Sequence, residues 1–231
     1  MITEQTIPQH VGIIMDGNRR WATSKGLPII EGHRQGYHAA TRIATHAFAK
    51  GVRYLTLFAF STENWNRATS EVSYLMDLFL RMIKEQLRVL HRRGVRIKFI
   101  GLRSRLDARI RKAIVSAQAA TRQNKKGTLL IALNYGGRHE IVDAVRSIVK
   151  RRTPARDITP ELVDRELWTA GIPDPDLIIR TSGEQRLSGF LLWQAAYSEL
   201  YFSEKLWPVF SEDDFNHALE TFAMRQRRFG A

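Results

Sequence analysis

Short apolar runs alternate with helix-like segments from one end of the chain to the other, and few folds accommodate this. The first run, residues 11–15, has four apolar residues out of five, which leaves no polar face and indicates a strand covered on both sides. Alternation of such strands with helices is typical of a parallel sheet. The predicted strands are residues 11–15, 54–60, 97–100, 129–135 and 177–180, with a sixth near 200–202. We therefore predict an α/β fold, a single domain over residues 1–231 whose central parallel sheet of about six strands is flanked by helices.

The helix-like segments lie between the strands, at residues 34–49, 71–92, 104–123, 138–151, 160–169 and 212–227. The second segment carries a wide apolar stripe, because Leu78 and Leu80 broaden a face already formed at three-and-four spacing. This face is consistent with a buried core helix or with the wall of a tunnel for a long hydrocarbon. The sequence alone leaves both interpretations open.

The charge of the chain favours anionic partners. Lys and Arg number 36 against 23 Asp and Glu, a formal net charge of +13, which suits nucleic acid, an anionic membrane surface or a phosphorylated metabolite. The absence of cysteine excludes a disulfide framework and a cysteine zinc site, and agrees with a reducing cytoplasm. No run approaches the roughly 18 apolar residues of a membrane-spanning helix, and residues 1–10 lack the regions of a signal peptide. We expect a soluble, cytoplasmic protein.

Several common chemistries are excluded by their motifs. The chain has neither a glycine-rich loop ending in Gly-Lys-Ser/Thr nor a Gly-x-Gly-x-x-Gly sequence, which excludes the usual NTPase and dinucleotide sites. His139 begins a motif like that of a zinc protease, but Asp143 occupies the place of the second histidine. Ser182 and Ser188 lack the preceding glycine of a hydrolase nucleophile elbow. The acidic pair at Asp213 is not followed by the third aspartate of the trans-type prenyl synthase box.

Four polar segments remain, and three of them follow predicted strands. They are MDGNRRWA (15–22), FAFSTENWNR (58–67), IIRTSGEQRLS (178–188) and AYSELYF (196–202). Ligands of open α/β sheets bind at the carboxyl ends of the strands. Asp16 stands beside a glycine, an asparagine and two arginines, so it can hold a cation and an anion together. This indicates a magnesium-bound phosphate.

Together with GHRQG (32–36), NYGGRHEIVDA (134–144) and the terminal RRFG (227–230), these segments resemble the cis-prenyltransferase family of undecaprenyl diphosphate synthases, or isoprenyl transferases. The resemblance covers almost the whole chain. It implies a homodimer that requires Mg²⁺ and extends an allylic diphosphate by adding isopentenyl diphosphate with cis geometry. The chain lacks the insertion after the predicted 71–92 helix that is linked to very long products. We therefore expect a medium-length product of the undecaprenyl type, the precursor of a cell-wall lipid carrier.

The residue types suit this reaction. Cleavage of the allylic carbon–oxygen bond builds negative charge on the departing diphosphate, so cations and aligned N–H donors are needed around it. The N–H groups of residues 17–20 precede a helical turn, a position that favours phosphate. The resemblance assigns Mg²⁺ to Asp16 and Glu199.

The resemblance also assigns roles in substrate binding and proton transfer. His33 is implied to contact the leaving diphosphate, and Asn64 with Ser61 to take part in proton removal from the isopentenyl unit. Because an amide is a poor base, we expect Asn64 to orient the substrate while diphosphate or water receives the proton. The implied catalytic residues are Asp16, His33, Ser61 and Asn64. The implied substrate-binding residues are Gly17, Asn18, Arg19, Arg20, Trp21, His33, Ser61, Thr62, Glu63, Trp65, Arg67, Arg180, Arg186, Leu187 and Ser188.

The growing hydrocarbon needs an apolar channel, and the helix with the wide stripe can supply one wall of it. We expect this channel to be lined by Ala59, Tyr74, Phe79 and Leu133. The resemblance further implies that Arg228 and Gly230 of the tail reach the site of a neighbouring subunit.

Two positions depart from the pattern of many bacterial family members. Arg19 stands where they have glycine, and Ile29 stands where they have an arginine four residues before the histidine. We interpret Arg19 as a replacement for the missing guanidinium, since both positions would face the same diphosphate. The departure leaves the allylic substrate open, and a short-chain or irregular, lavandulyl-type synthase on the same scaffold is the alternative.

Two rival classes explain the sequence less well. A basic nucleic-acid-binding domain would use the positive charge, but it does not explain Asp16, Glu63 and Glu199 among the arginines, so we expect no nucleic-acid partner. A noncatalytic partner subunit would lack the aspartate of the first motif, which is present. The positive charge would allow loose contact with the inner face of a membrane, where the product must go.

Overall fold

A single parallel sheet organises the computed structural model, which describes residues 7–225. Its strands are β1 (His10–Ile14), β2 (Tyr54–Ser61), β3 (Val95–Ile100), β4 (Gly127–Tyr135), β5 (Leu177–Arg180) and β6 (Glu199–Phe202). In space they follow the order β3-β4-β2-β1-β5-β6, and every neighbouring pair is parallel. The predicted α/β class and parallel sheet are confirmed, including the sixth strand.

The helices that flank the sheet are α1 (Asn18–Ser24), α2 (Ile29–Ala49), α3 (Thr69–Arg92), α4 (Ala108–Thr121), α5 (Gly137–Lys150), α6 (Pro160–Glu166) and α7 (Glu212–Met224). Short 3-10 turns cover Thr62–Asn66, Ala155–Asp157, Gln194–Tyr197 and Trp207–Val209.

Several helix boundaries differ from the prediction. α1 was not among the predicted helices, since its seven residues are too few to show a period. α2 begins at Ile29 rather than residue 34, directly after Pro28. α4 begins at Ala108 rather than residue 104, because the side chain of Asp107 caps it by accepting from the N–H of Arg109. The predicted end of the last helix, residue 227, lies outside the described residues.

Both faces of the sheet are covered, as the apolar runs indicate. Ile13 belongs to the larger core, which lies between one face and helices α2, α3, α4 and α7, whereas Ile14 belongs to the smaller core on the other face. Ile131 and Ala132 divide in the same way. Successive side chains of a strand point to opposite faces, so an uninterrupted apolar run can fill two cores.

The strands β1, β2 and β5 end at the same level. Ile14 pairs with Phe58 of β2 on one side and with Arg180 of β5 on the other. The chain continues from β1 toward β2, but from β5 toward β6 in the opposite direction. At such a reversal an open parallel sheet leaves a crevice beyond its carboxyl ends. Three of the polar segments therefore meet in one place.

A close contact between α1 and α2 positions the chain that follows β1. A Cβ atom on Gly36 would lie only 2.3 Å from Oδ1 of Asn18, so any larger residue would push the two helices apart. The carbonyl of Gly36 also accepts the indole N–H of Trp207 at 2.8 Å. The glycine that ends the GHRQG segment thus holds the Asp16 loop against α2.

No helix within residues 7–225 combines the length and the apolar character needed to cross a membrane.

Candidate active site

A cavity of about 1160 Å³ lies between α2, α3 and the sheet. It is larger than the roughly 300–1,000 Å³ of most small-molecule sites. One end, at the carboxyl ends of β1, β2 and β5, is polar, and its lining includes Asp16, Arg19, Arg20, His33, Arg67 and Arg180. The remainder is mostly apolar, with a lining that includes Ala40, Ala44, Leu57, Leu75, Phe79, Ile83 and Ile131. We call the polar end the mouth; the whole cavity suits a ligand with an anionic head and a long apolar tail.

Asp16 is the carboxylate at the centre of the mouth. Its Oδ2 accepts from Nη2 of Arg180 at 2.9 Å, and its Oδ1 lies 3.6 Å from Nη2 of Arg20. The Oγ of Thr181 fixes the backbone, because it donates to the carbonyl of Asp16 at 2.7 Å and lies 3.0 Å from its N–H. The side chain is one-third exposed toward solvent, so the carboxylate remains accessible beside two guanidinium groups.

Arg180 is held from several directions, although it is only 3% exposed. Besides Asp16, it donates through Nη1 to Oγ of Ser188 at 2.8 Å and to the carbonyl of Arg186. Its Nε is buried and has no hydrogen-bond partner among residues 7–225. The loop that it braces has positive φ at Ser182 and Ser188, a conformation that costs free energy and concentrates at functional sites. The structure thus brings Arg180, Ser188 and Asp16 together, and their implied roles in substrate and metal binding stay predictions.

Gly17 turns the chain from β1 into α1. Its φ is +111°, a region that residues with a side chain rarely adopt, and a Cβ there would lie 2.9 Å from Cδ2 of Leu206. The N–H groups of residues 18–20 fall in the first turn of α1, where no intrahelical carbonyl is available to them. Residues 17–20 all line the cavity.

Four side chains from three parts of the chain form a charged cluster at the mouth. Nε2 of His33 lies 3.0 Å from Oε1 of Glu71, and Nη1 of Arg67 donates to the same oxygen at 3.1 Å. Nε of Arg19 lies 3.9 Å from Oε2 of Glu71. Burial lowers the pKa of His33 below its usual value, although the hydrogen bond with Glu71 opposes this. Burial also lowers the pKa of Arg67, although the carboxylate of Glu71 opposes this.

Glu71 was not predicted as a site residue. A signal was available, since Glu71 lies only four residues after the oppositely charged Arg67. Its contact with His33 depends on the packing of α2 against α3, which the sequence does not reveal.

The segment after β2 is shaped by a capping box. Oδ1 of Asn64 accepts the backbone N–H of Ser61 at 3.0 Å, so the amide oxygen is already engaged. This supports an orienting role for Asn64 over a basic one. For Glu63, burial alone would raise the pKa, but hydrogen bonds from its own N–H, from Thr62 and from Ser61 hold the pKa below its usual value. Ser61, Glu63 and Asn64 line the cavity.

Five predicted substrate-binding residues are not part of the described cavity lining: Trp21, Thr62, Trp65, Arg186 and Leu187. The indole N–H of Trp65 donates to Oδ1 of Asn134 at 2.8 Å, and the guanidinium of Arg105 stacks 4.5 Å above its ring. The side chain of Arg186 pairs with Glu184. The structure does not place these side chains on the surface of the cavity.

Glu199 does not join Asp16 in a common metal site within one chain. It begins β6, where it pairs with Leu177 at the amino end of β5, whereas Asp16 contacts Arg180 at the carboxyl end. Three strand residues at ~3.3 Å each separate these levels by roughly 10 Å. The carboxylate of Glu199 instead pairs with Nη1 of Arg225 at 2.6 Å. Strand polarity thus separates the two carboxylates within one chain, and the assignment of one ion to both carboxylates stays a prediction.

The predicted channel residues divide into two groups. Ala59 and Phe79 line the cavity. Tyr74 and Leu133 are not part of the described lining. Leu133 shares a face with the lining residue Ile131, but it is fully buried in the larger core. The expected contacts of the tail, Arg228 and Gly230, lie outside the described residues.

One wall of the mouth was not predicted from the sequence. Gly136, Gly137, Arg138 and His139 line the cavity at the start of α5. From its motif, His139 was a candidate only for a zinc ligand. The usable signal was its position, since the segment follows β4 at the same edge of the sheet as the other polar segments.

The fold is an open parallel sheet, and its carboxyl edge carries cations and a carboxylate above a large, mostly apolar cavity. Such a site is typical of enzymes that bind amphiphilic anions. Known proteins point to the same class. The model of a prenyltransferase family described as "Putative undecaprenyl diphosphate synthase" matches residues 14–230. The isoprenyl transferase of Thermotoga maritima is 49% identical over 226 residues, 97% of this chain and 97% of that protein. The isoprenyl transferase of Agrobacterium fabrum is 52% identical over 233 residues, 99% of this chain and 94% of that protein.

Two solved structures are similar over nearly the whole fold. Lavandulyl diphosphate synthase from Lavandula x intermedia, in complex with dimethylallyl diphosphate, has a TM-score of 0.95 and 36% identity, over 99% of this chain and 100% of that one. A probable undecaprenyl diphosphate synthase from Campylobacter jejuni has a TM-score of 0.81 and 31% identity, over 97% of this chain and 99% of that one. The chain belongs to the undecaprenyl diphosphate synthase family of prenyltransferases.

Proposed function

We propose that the protein is a cis-prenyltransferase that condenses isopentenyl diphosphate with an allylic diphosphate, and that it makes a medium-length cis-polyprenyl diphosphate of the undecaprenyl type. The observation that carries this proposal is that one cavity of about 1160 Å³ joins the cation-lined mouth to a mostly apolar remainder. The mouth suits the diphosphates, and the apolar part suits a growing hydrocarbon.

The mouth is built for the charge that develops in this reaction. When the allylic carbon–oxygen bond breaks, the diphosphate leaves with the bonding electrons, and the allylic carbon becomes cationic. Arg19, Arg20 and the N–H groups of residues 18–20 surround the position where the diphosphate would lie. The backbone N–H groups are fixed, so they stabilise the leaving group without reorganising at the moment of reaction, and the two guanidinium groups add positive charge.

Arg180 and Ser188 are proposed to bind the diphosphate of isopentenyl diphosphate. Arg180 presents a planar fork that matches phosphate oxygens, and its buried Nε has no partner among residues 7–225. The terminal alkene carbon of the isopentenyl unit forms the new bond to the allylic carbon, which leaves a positive charge on the methyl-bearing alkene carbon. The methylene carbon next to that cation then loses a proton, and the electrons of its C–H bond form the new double bond. Ser61 and Asn64 orient the unit, and a diphosphate oxygen or water receives the proton.

The mouth fits a magnesium ion that arrives with the substrate. Within residues 7–225, no group of three or more histidine, aspartate or glutamate side chains could enclose a metal, and Asp16 lies beside the proposed phosphate position. Magnesium is commonly held by one or two carboxylates together with substrate phosphates and water. Asp16 would hold the ion, which when bound would neutralise charge on the diphosphate.

The apolar part of the cavity retains the product as it grows. Each buried CH₂ contributes roughly 0.8 kcal/mol, so a five-carbon unit adds roughly 4 kcal/mol. α3 lines the cavity from Leu75 to Leu90, fifteen residues and so about 22 Å of helix. A chain of several isoprene units can therefore stay bound between additions.

We further propose that the protein acts as a single domain in a homodimer at the inner face of a membrane. The resemblance to the cis-prenyltransferase family supports the dimer and a role of Arg228 and Gly230 across its interface. The net charge of +13 supports loose contact with anionic lipid.

A short-chain or irregular synthase is the second candidate. The TM-score of 0.95 to a lavandulyl diphosphate synthase favours it, whereas the similarity to isoprenyl transferases at about half of all positions favours the longer product. Incubation with radiolabelled isopentenyl diphosphate and a panel of allylic primers, with products separated by chromatography, distinguishes the two. We expect a ladder that ends at medium length. A product from dimethylallyl diphosphate alone would support the second candidate, and no product from any primer would refute both.

A further inference from the structure

Glu71 is a buried acid with no position of its own on the cavity surface. It lies in the first turn of α3, is 8% exposed, and is not among the described residues that line the cavity. A buried carboxylate is costly unless donors surround it. Its surroundings therefore indicate what keeps it there.

The donors around Glu71 are the lining residues of the mouth. His33, Arg67 and Arg19 approach it from α2, from the turn before α3 and from α1, at 3.0, 3.1 and 3.9 Å. All three line the cavity. Glu71 thus stands behind the three side chains that face the proposed allylic diphosphate.

The contact with Glu71 determines which nitrogen of His33 carries a hydrogen. A carboxylate only accepts hydrogen bonds, so Nε2 is the protonated nitrogen and Nδ1 of the neutral ring is left as an acceptor. A charged ring would donate from both nitrogens. The groups that face this ring are Glu71, Arg67 and Arg19, and burial acts with the two arginines to favour the neutral form.

Glu71 holds Arg67 more firmly than Arg19. The side chain of Arg67 is 27% exposed and in hydrogen-bond contact, whereas that of Arg19 is 53% exposed and 3.9 Å away. Because the Arg19 side chain is half-exposed and lies beyond hydrogen-bond distance of Glu71, it can turn toward an incoming anion. Arg67 would keep its contact with Glu71 while presenting its other donors.

We propose that Glu71 is a positioning residue, which fixes His33 with Nε2–H toward α3 and holds Arg67 at the mouth before a diphosphate arrives. The inference rests on the proposed function, and it adds a residue that acts on substrate only through its neighbours. Removing the negative charge would leave the positions of His33 and Arg67 undefined, although it would also make the mouth more positive.

Glu71→Gln tests the proposal, with Asp77→Asn as the matched control. Asp77 lies on α3 as well, but it is exposed and pairs with Arg109 away from the mouth. Nitrogen NMR of the imidazole, assigned with His33→Asn, reports the tautomer, and calorimetric titration with sodium pyrophosphate reports anion affinity. Neither measurement depends on turnover, so a failure of the proposed prenyl transfer would be seen separately.

We expect Glu71→Gln to change the shifts of the His33 nitrogens and to weaken pyrophosphate binding about tenfold, the order expected when one hydrogen bond to a charged group is lost. Asp77→Asn should leave both unchanged. Glu71→Asp, which keeps the charge, should restore the wild-type tautomer. Unchanged His33 shifts, or pyrophosphate that binds Glu71→Gln as tightly as or more tightly than wild type, would overturn the proposal.

Discussion

The depth of the cavity can be measured with leucine substitutions along α2. Ala40 and Ala44 both line the cavity, and they follow the mouth residue His33 by seven and eleven positions. At ~1.5 Å of rise per residue, they lie about 10 and about 16 Å from the mouth. A leucine at either position would project into the path of the hydrocarbon, so the product should become shorter, and shorter for Ala40→Leu than for Ala44→Leu.

The side effects of these substitutions should be small. Overpacking a filled core costs about 1–3 kcal/mol, but here the added carbons enter empty space, so the loss of unfolding free energy should lie at or below the lower end of that range. The Michaelis constant for isopentenyl diphosphate should stay within about twofold, because its proposed contacts with Arg180 and Ser188 are unaffected.

Thin-layer chromatography of radiolabelled products gives the length distribution, and urea unfolding gives the stability. The product lengths of the two variants, compared with each other, show whether the hydrocarbon runs along α2. If Ala44→Leu gave the shorter products, or if both variants kept the wild-type distribution, the hydrocarbon would not run along α2.

Three further predictions concern single side chains. Arg180→Lys keeps the charge but loses the planar fork that contacts Asp16 and Ser188. The Michaelis constant for isopentenyl diphosphate should therefore rise about tenfold or more. An unchanged Michaelis constant in steady-state kinetics would contradict the assignment. Asp16→Asn should lower kcat by about a hundredfold or more while the thermal melting curve stays similar, because the fold retains an isosteric side chain but the mouth loses its carboxylate. His10, 1% exposed and bonded to Pro173 and Thr56, has its pKa lowered by burial from 6.5 to about 4. The unfolded chain therefore binds this proton first as pH falls, so about 3 kcal/mol of stability should be lost between pH 6.5 and 4, and urea unfolding of His10→Gln should show a flatter profile over that window.

The sequence was sufficient for the sheet because its signals are local. A short run with branched apolar residues, such as residues 177–180, favours a strand, and the bounds of β5 agree with the prediction. The position of Asp16 at a strand end follows from the same local pattern. Boundaries set by capping, as at Asp107, were harder to predict, because a cap depends on one side chain rather than on a period.

The rest of the site depends on contacts between distant segments. The contact between His33 and Glu71 joins positions 38 residues apart, and no spacing rule links them. Asp16 and Glu199 are separated because Glu199 lies at the amino end of β6. The motif AYSELYF covers the whole strand, so the motif alone does not show at which end of the sheet Glu199 lies. Leu133 has the correct strand parity for the cavity but lies beneath the core, a distinction that only packing makes.

Because of its apolar cavity, the unfolding free energy of this protein depends on which molecule occupies that cavity. The walls of a cavity of about 1160 Å³ gain dispersion contacts when an apolar guest enters it. Any amphiphile that enters the native state but not the unfolded chain raises the unfolding free energy by mass action, detergents and copurified lipids included. Melting temperatures of different preparations will therefore follow their lipid content, and extraction of that lipid should lower the melting temperature of the wild-type protein more than that of Ala40→Leu.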